Sequence, residues 1–235
     1  MIVVSHNELV AVSGKAFEGL RLPYGEADLI ANMVTDLEMV GLQGIKHFIK
    51  ALSYLNPSNN QSCSIRCESS STMTIDFNNE SILCHLPTVL GYILEKLIDN
   101  HYVILNIANC FNRWLAFGEL CKLSRQGISI KACWYYAAES TEIMYLLNSG
   151  NDLPEIYIRH DRELTMNTER KLTIELSDRA FELPCVSAHQ QHLSSEKLKR
   201  YQEASWVNGI AIEIDDWNKL KKASQAMLVP NNKCL

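Results

Sequence analysis

The chain has 235 residues and a formal net charge of −5, with 47% apolar and 21% charged residues. That balance belongs to a folded protein with a sizeable core and excludes a disordered chain, while the negative charge without a clustered basic face excludes a duplex-binding surface. The longest apolar runs, 102–108 and 132–138, are too short to cross a bilayer, and Met1-Ile2-Val3-Val4-Ser5-His6 has neither a basic flank nor an export cleavage pattern. The expectation is a cytoplasmic protein with a small molecule as its candidate partner and no nucleic-acid or membrane partner.

Ser5-x-x-Glu8 is a capping box and Val4 with Leu9 stands at staple spacing, so a helix is predicted from about Asn7. Leu9, Val12, Ala16 and Phe17 form its apolar face, and Gly19 and Pro23 end it. A second helix from about Tyr24 repeats Leu29, Ile30, Met33, Val34, Leu37 and Val40 at three- and four-residue spacing. Gly41-Leu42-Gln43-Gly44 breaks that run before a third helix over 46–55. Residues 56–71, rich in Asn, Ser and Gln, have no period and read as a linker. They divide an N-terminal helical unit, 1–55, from an α/β domain, 72–235.

Residues 72–77 alternate as a strand, and 87–98 read as a helix with Pro87 in its first turn. A strand at 102–108, a helix at 112–125, a strand at 128–137, a helix at 139–148 and a strand at 155–160 follow. Such an order predicts a mostly parallel sheet with right-handed crossovers, in which 102–108 and 128–137 are parallel neighbours. Alternation returns at 172–176, a helix lies near 194–206, a strand at 210–214, and a last helix carries Trp217, Leu220 and Met227. The fold class is α/β, with the N-terminal helical unit packed on a mostly parallel β-α-β sheet domain.

Eight scattered cysteines without an export signal read as free thiols. The nearest approach to a chelate, Cys63-x-x-x-Cys67 with Cys84-His85, lacks the short spacing of a zinc site, so no metal is expected. The turn Asn106-Ile107-Ala108-Asn109-Cys110-Phe111-Asn112-Arg113 has no close-approach glycine and no phosphate loop, which excludes an ordinary dinucleotide fold; the sequence names no cofactor. Asn109 and Asn112 read as caps of the following helix, with Asn109 and Arg113 also candidate ligands for an anion. Ile158-Arg159-His160-Asp161 sets a histidine among charges at a strand end, making His160 the candidate catalytic residue and Arg159 a candidate ligand-binding one. His189-x-x-His192 falls in a predicted surface loop, and Trp114, Trp134, Tyr135 and Tyr136 read as core.

Ser5-His6-Asn7-Glu8, Lys15-Ala16, Leu22-Pro23-Tyr24-Gly25 and Gly41-Leu42-Gln43-Gly44 at one end, with Trp217, Leu220 and Leu228-Val229-Pro230 at the other, resemble an uncharacterised bacterial family of proteins of this length. Residues 5–55 are also similar to the N-terminal helices of the type-2 malate and lactate dehydrogenases, which use nicotinamide cofactors. That family carries an acid–base Ser-His pair between the glycines corresponding to Gly41 and Gly44, where this chain has Leu42-Gln43. The second resemblance implies a shared helical scaffold without the dehydrogenase reaction, and the expectation is a protein of amino-acid-derived or secondary-metabolite metabolism, enzyme or accessory factor. A non-catalytic binding or assembly protein is the alternative, and a dehydrogenase relative lacking the catalytic pair is the third reading.

Overall fold

A computed structural model describes residues 1–19, 24–55, 63–136, 140–160, 170–185 and 190–225. Strand β1 (Ile2–Val4) leads directly into α1 (His6–Glu18). The capping box forms: the Ser5 hydroxyl accepts the Glu8 amide at 3.1 Å, and Val4 and Leu9 are both buried. Helices α2 (Tyr24–Met39) and α3 (Gly44–Leu52) follow. Between them the chain reverses through Gly41 and Gln43, at φ of +77° and +56°. Gly44 then enters α3 so close to α2 that a Cβ would lie 2.1 Å from the Val34 carbonyl oxygen and 2.8 Å from the Glu38 amide nitrogen. Near contact lets the Glu38 carboxylate accept the Ile45 amide at 2.8 Å, satisfying a donor that the first turn of α3 leaves open.

Strands β2 (Ser64–Glu68) and β3 (Thr72–Ser81) form an antiparallel hairpin, so the segment predicted as linker contains an edge strand. Every residue of β2 is exposed, which leaves no buried alternation to read, and Arg66 and Glu68 suit a solvent edge. Helix α4 (Ile82–Asn100) starts earlier than predicted, with the Ser81 hydroxyl accepting the Leu83 amide at 3.4 Å and Pro87 inside the helix. Then come β4 (Tyr102–Phe111), a 3-10 turn at Arg113–Ala116, α5 (Phe117–Arg125), β5 (Ser129–Tyr136), β6 (Thr141–Leu147), β7 (Glu155–His160) and β8 (Leu172–Ser177). The chain continues through β9 (Gln191–Leu193), α6 (Ser195–Asn208), β10 (Ile210–Ile212) and α7 (Ile214–Ser224), and Met227 lies outside the described residues.

The α/β class holds, but the expectation of a mostly parallel sheet does not. Among the described residues the large sheet has the order β2-β3-β4-β8-β5-β6-β7-β9, and β3–β4 is its parallel pair; the other pairings are antiparallel. Residues 139–148, predicted as a helix, supply β6 instead. The near-continuous run Ile143-Met144-Tyr145-Leu146-Leu147 suits either period, and the β-branched and aromatic residues with burial at Thr141, Ile143 and Tyr145 decide for the strand. Too few residues separate β5 from β6 for a crossover, so the two pair antiparallel.

Strands β4 and β5 run in the same direction on either side of α5, yet they are not neighbours. The later strand β8 lies between them, antiparallel to both, with Ile174 opposite Leu105 on one side and Ala132 on the other. Period-2 alternation identifies β8 as a strand but says nothing of its partners, which is why the sequence sets 102–108 directly beside 128–137. Leu172, Ile174 and Leu176 join Val103, Leu105, Ile107 and Ile130 in one buried apolar layer beneath α4 and α5. The chain ends meet: β10 pairs with β1, Ile2 opposite Ile212, and α7 packs on α1 and α3 with Trp217 and Leu220 buried. Among the described residues no helix is long and apolar enough to cross a membrane.

The α2–α3 crossing generates a paired prediction for urea denaturation. Gly44→Ala is expected to cost about 3 kcal/mol or to prevent folding, because backbone rather than a movable side chain blocks the new methyl. Gly91, in mid-helix with nothing within 4 Å of an added Cβ, is expected to gain about 0.5–1 kcal/mol as alanine. A Gly44→Ala protein within about 1 kcal/mol of the parent would contradict the close crossing.

Candidate functional site

Parallel strands converge on a site at their carboxyl ends, and here β3 and β4 are that pair. Both strands leave regular geometry there. Asn78, Asn79, Asn109 and Asn112 all have positive φ, between 50° and 65°, a region asparagine tolerates better than most residues. Asp76 shares a cross-strand level with Ala108, so an unbroken β4 would aim Asn109 at the opposite face. The turn at Asn109 brings its amide back onto Asp76, donating to the two carboxylate oxygens at 3.0 and 3.1 Å. Asp76 also accepts the Asn78 amide at 2.8 Å and a hydrogen bond from the Arg66 guanidinium on β2. A buried carboxylate is thus fully paired, as its burial requires.

Beside this cluster the Phe111 ring is stacked by Tyr54 at 4.0 Å and covered by the Arg170 guanidinium at 4.3 Å, and Arg170 donates to Asn79 Oδ1 at 3.1 Å. Glu80 and His85 form a half-buried pair at 3.1 Å, with the His85 ring edge-on to Phe77. On the helix side, Trp134 meets Trp114 edge to face at 5.1 Å, and Trp114 lies 6.0 Å from His47. Burial, reinforced by Lys50 and Lys46, drives the His47 imidazole down to about 4. His47 is therefore neutral at physiological pH and a poor proton donor.

Three sequence-predicted residues arrive at this site in other roles. Asn109 holds Asp76 rather than capping a helix, and Asn112 makes no side-chain cap, its Oδ1 being buried without a partner among the described residues. Arg113 donates to the Cys110 and Tyr135 carbonyls, each at 3.0 Å, so two guanidinium nitrogens are engaged by backbone. Arg159 and His160 stand apart on β7, four strand spacings or about 19 Å from β4. Arg159 pairs with Glu142 at 2.7 Å and His160 Nδ1 meets the Thr141 hydroxyl at 2.9 Å, while Asp161 lies outside the described residues. His192, predicted in a surface loop, is in β9, stacked on Tyr157 at 4.6 Å and bonded to Glu155 at 2.6 Å; His189 lies outside the described residues.

Sequence reasoning missed Asp76, Arg66, Asn106, Arg170 and Lys171. The signal available was the run of asparagines at two strand ends, Asn78-Asn79 and Asn109 with Asn112, the residue type that turns a strand out of register.

Clefts of different character open on the molecule. One of about 290 Å³ lies on the sheet face away from the helices, lined by Arg66, Thr74, Asn106, Ala108, Asn109 and Lys171. Another of about 480 Å³ lies beside the Gly41–Gly44 turn, where Gln43 shares the wall with Glu38, Glu213 and Asp216 against Lys46. A third, of about 400 Å³, lies between the β6–β7 connection and α6. Neither the β4 turn, without glycine and with Arg113 engaged, nor the acidic Gln43 cleft offers the donors that the diphosphate of a nicotinamide dinucleotide requires. Among the described residues no group of three His, Cys, Asp or Glu side chains converges as a metal site would.

Residues 4–81 match the model of a family described as "Protein of unknown function (DUF3726)". No curated protein matches the chain. Solved structures share its fold: a dehydrogenase from Sinorhizobium meliloti superposes with a TM-score of 0.71 at 12% identity, over 95% of this chain and 99% of that one. The malate dehydrogenase of Pyrococcus horikoshii OT3 gives 0.68 at 11%, over 95% of each chain. The delta1-piperideine-2-carboxylate reductase of Pseudomonas syringae pvar. tomato gives 0.62 at 10%, over 95% and 100%. Both resemblances read from the sequence hold, to an uncharacterised family and to the malate and lactate dehydrogenases, the second as a likeness of fold.

The buried His47 imposes a sign on stability. Its folded value lies below the ordinary 6.5, so the unfolded chain takes up a proton that the folded one refuses, and stability intact above pH 6.5 is lost as pH falls towards 4. In urea melts across that window the parent is expected to lose up to about 3 kcal/mol more than His47→Gln. Parallel curves for the two proteins would contradict the assignment.

Proposed function

We propose that the chain is a bacterial cytoplasmic protein of small-molecule metabolism, amino-acid-derived or secondary-metabolite, that binds its ligand on a dehydrogenase fold without performing that fold's acid–base-assisted redox step. The observation that carries this reading is the Gly41–Gly44 turn. Where the dehydrogenases have a Ser-His pair, Leu42 and Gln43 stand, and neither can transfer a proton. His47, one turn further on, is directed to Trp114 and held neutral. The cleft at Gln43 is lined by three carboxylates, an unfavourable field for the carboxylate of a hydroxy acid. A shared fold does not carry activity with it, since function resides in the site.

A second reading, non-catalytic assembly, is favoured by one feature: Val3, Trp206 and Val207 are 60%, 61% and 82% exposed near the β1–β10 ribbon. Sedimentation giving a stable oligomer that Trp206→Glu dissolves would support it.

Steady-state assays with malate or lactate and either NAD or NADP are expected to give no measurable cofactor reduction. Turnover that disappears in His47→Ala would mean the proton-transfer group had been rebuilt one turn downstream, and the proposal would fail.

A further inference from the structure

The sheet has a second face, turned away from the helices. Side chains alternate along each strand, so Met73, Ile75, Val103, Leu105, Ile107, Leu172 and Ile174 point to the core, and Thr74, Asp76, Asn106, Ala108, Lys171 and Thr173 point the other way. The register sets Thr74 beside Asn106 and Asn106 beside Thr173. Small Ala108 leaves the floor open between Asp76 and the start of β8, and the cleft of about 290 Å³ occupies that space.

The donors of this cleft are not balanced by its acceptors. Asp76 is already satisfied by Arg66, Asn109 and the Asn78 amide, so it has no capacity to neutralise a second cation. Other cations on the same face are paired: Lys131 with Glu175 at 2.9 Å and Arg159 with Glu142 at 2.7 Å. Lys171 has no ion-pair or hydrogen-bond partner among the described residues, although it lines the same cleft as Arg66. The Thr173 hydroxyl donates to Asn106 Oδ1 at 3.1 Å, which fixes the amide and leaves its N–H₂ end as a donor. The β5–β8 pairing ends at Trp134–Leu172, and in the next residue of β5 the Tyr135 hydroxyl is buried without a hydrogen-bond partner among the described residues.

We propose that this cleft binds a small oxyanion, the carboxylate or phosphate group of a metabolite, with the Lys171 ammonium, the outer Arg66 nitrogens, the Asn106 amide and the Thr74 hydroxyl as its donors. The proposal rests on the reading of the chain as a small-molecule-binding protein and names the ligand chemistry. A compact cationic cleft with amide and hydroxyl walls recognises charge and oxygen geometry rather than an aromatic ring. Asp76 is a positioning residue: it holds the Arg66 guanidinium and the Asn109 amide in the cleft wall.

Calorimetric titration of the full chain with inorganic phosphate and, separately, with succinate at constant ionic strength tests the proposal, the two arms separating phosphate from carboxylate. Saturable one-to-one binding of at least one anion is expected, weakened about tenfold in Lys171→Glu and in Asn106→Ala but not in Lys199→Glu, a remote control of the same charge change. Lys171 is exposed, so its variant is expected to melt with the parent in chloride, and Lys171→Gln serves if it does not. No saturable binding of either anion, or equal weakening by Lys199→Glu, overturns the proposal. Hydroxy-acid turnover with Lys171-sensitive anion binding intact would instead overturn the functional reading and leave this site standing.

Discussion

Strands β4 and β5 point the same way with a strand's width between them, and the backbone groups facing that gap are satisfied because β8 enters it from the opposite direction. Its alternation presents Leu172, Ile174 and Leu176 to α4 and α5, so one short strand completes both the hydrogen-bond ladder and the apolar layer. Where β8 has not yet begun, the Arg170 carbonyl accepts the Cys110 amide at 2.9 Å, and the Arg113 guanidinium bridges the Cys110 and Tyr135 carbonyls. The same insertion delivers Arg170 and Lys171 to the carboxyl ends of β3 and β4. Core and candidate site therefore depend on one pairing.

Local chemistry was legible in the sequence wherever it acts within a few residues. Ser5 and Glu8 set the start of α1, the glycines at 41 and 44 set the corner between α2 and α3, and the alternation of 172–176 gave β8 as a strand. Choices made across the chain were not legible. Whether β8 pairs beside β4, β5 or both is decided by burial of a shared face, and the run from Thr141 to Leu147 satisfies a helical spacing as readily as a strand's. The candidate site shows the same division. Asn109 and Arg113 were found because they follow a strand, but their roles come from Asp76 and from carbonyls that distant segments supply.

The likeness to the dehydrogenases is one of fold, and the proposed reading separates that frame from its chemistry. The corner between α2 and α3 needs its two glycines for backbone reasons, Gly44 for the close approach to α2 and Gly41 for its positive φ, while Leu42 and Gln43 between them carry no titratable group. Steric demand on the glycines and chemical demand on the residues between them are separable, so one can be retained without the other. In this chain carboxylates gather at the Gln43 cleft, while Lys171, which has no ion-pair partner among the described residues, lies on the far face of the sheet.

A heavy oxyanion would locate the anion site proposed on that far face. Selenium anomalous diffraction from crystals soaked in selenate is predicted to show a peak between Lys171 and Arg66, in reach of the Asn106 amide. Peaks only at other positions, with the Lys171 cleft empty, would rule out that site.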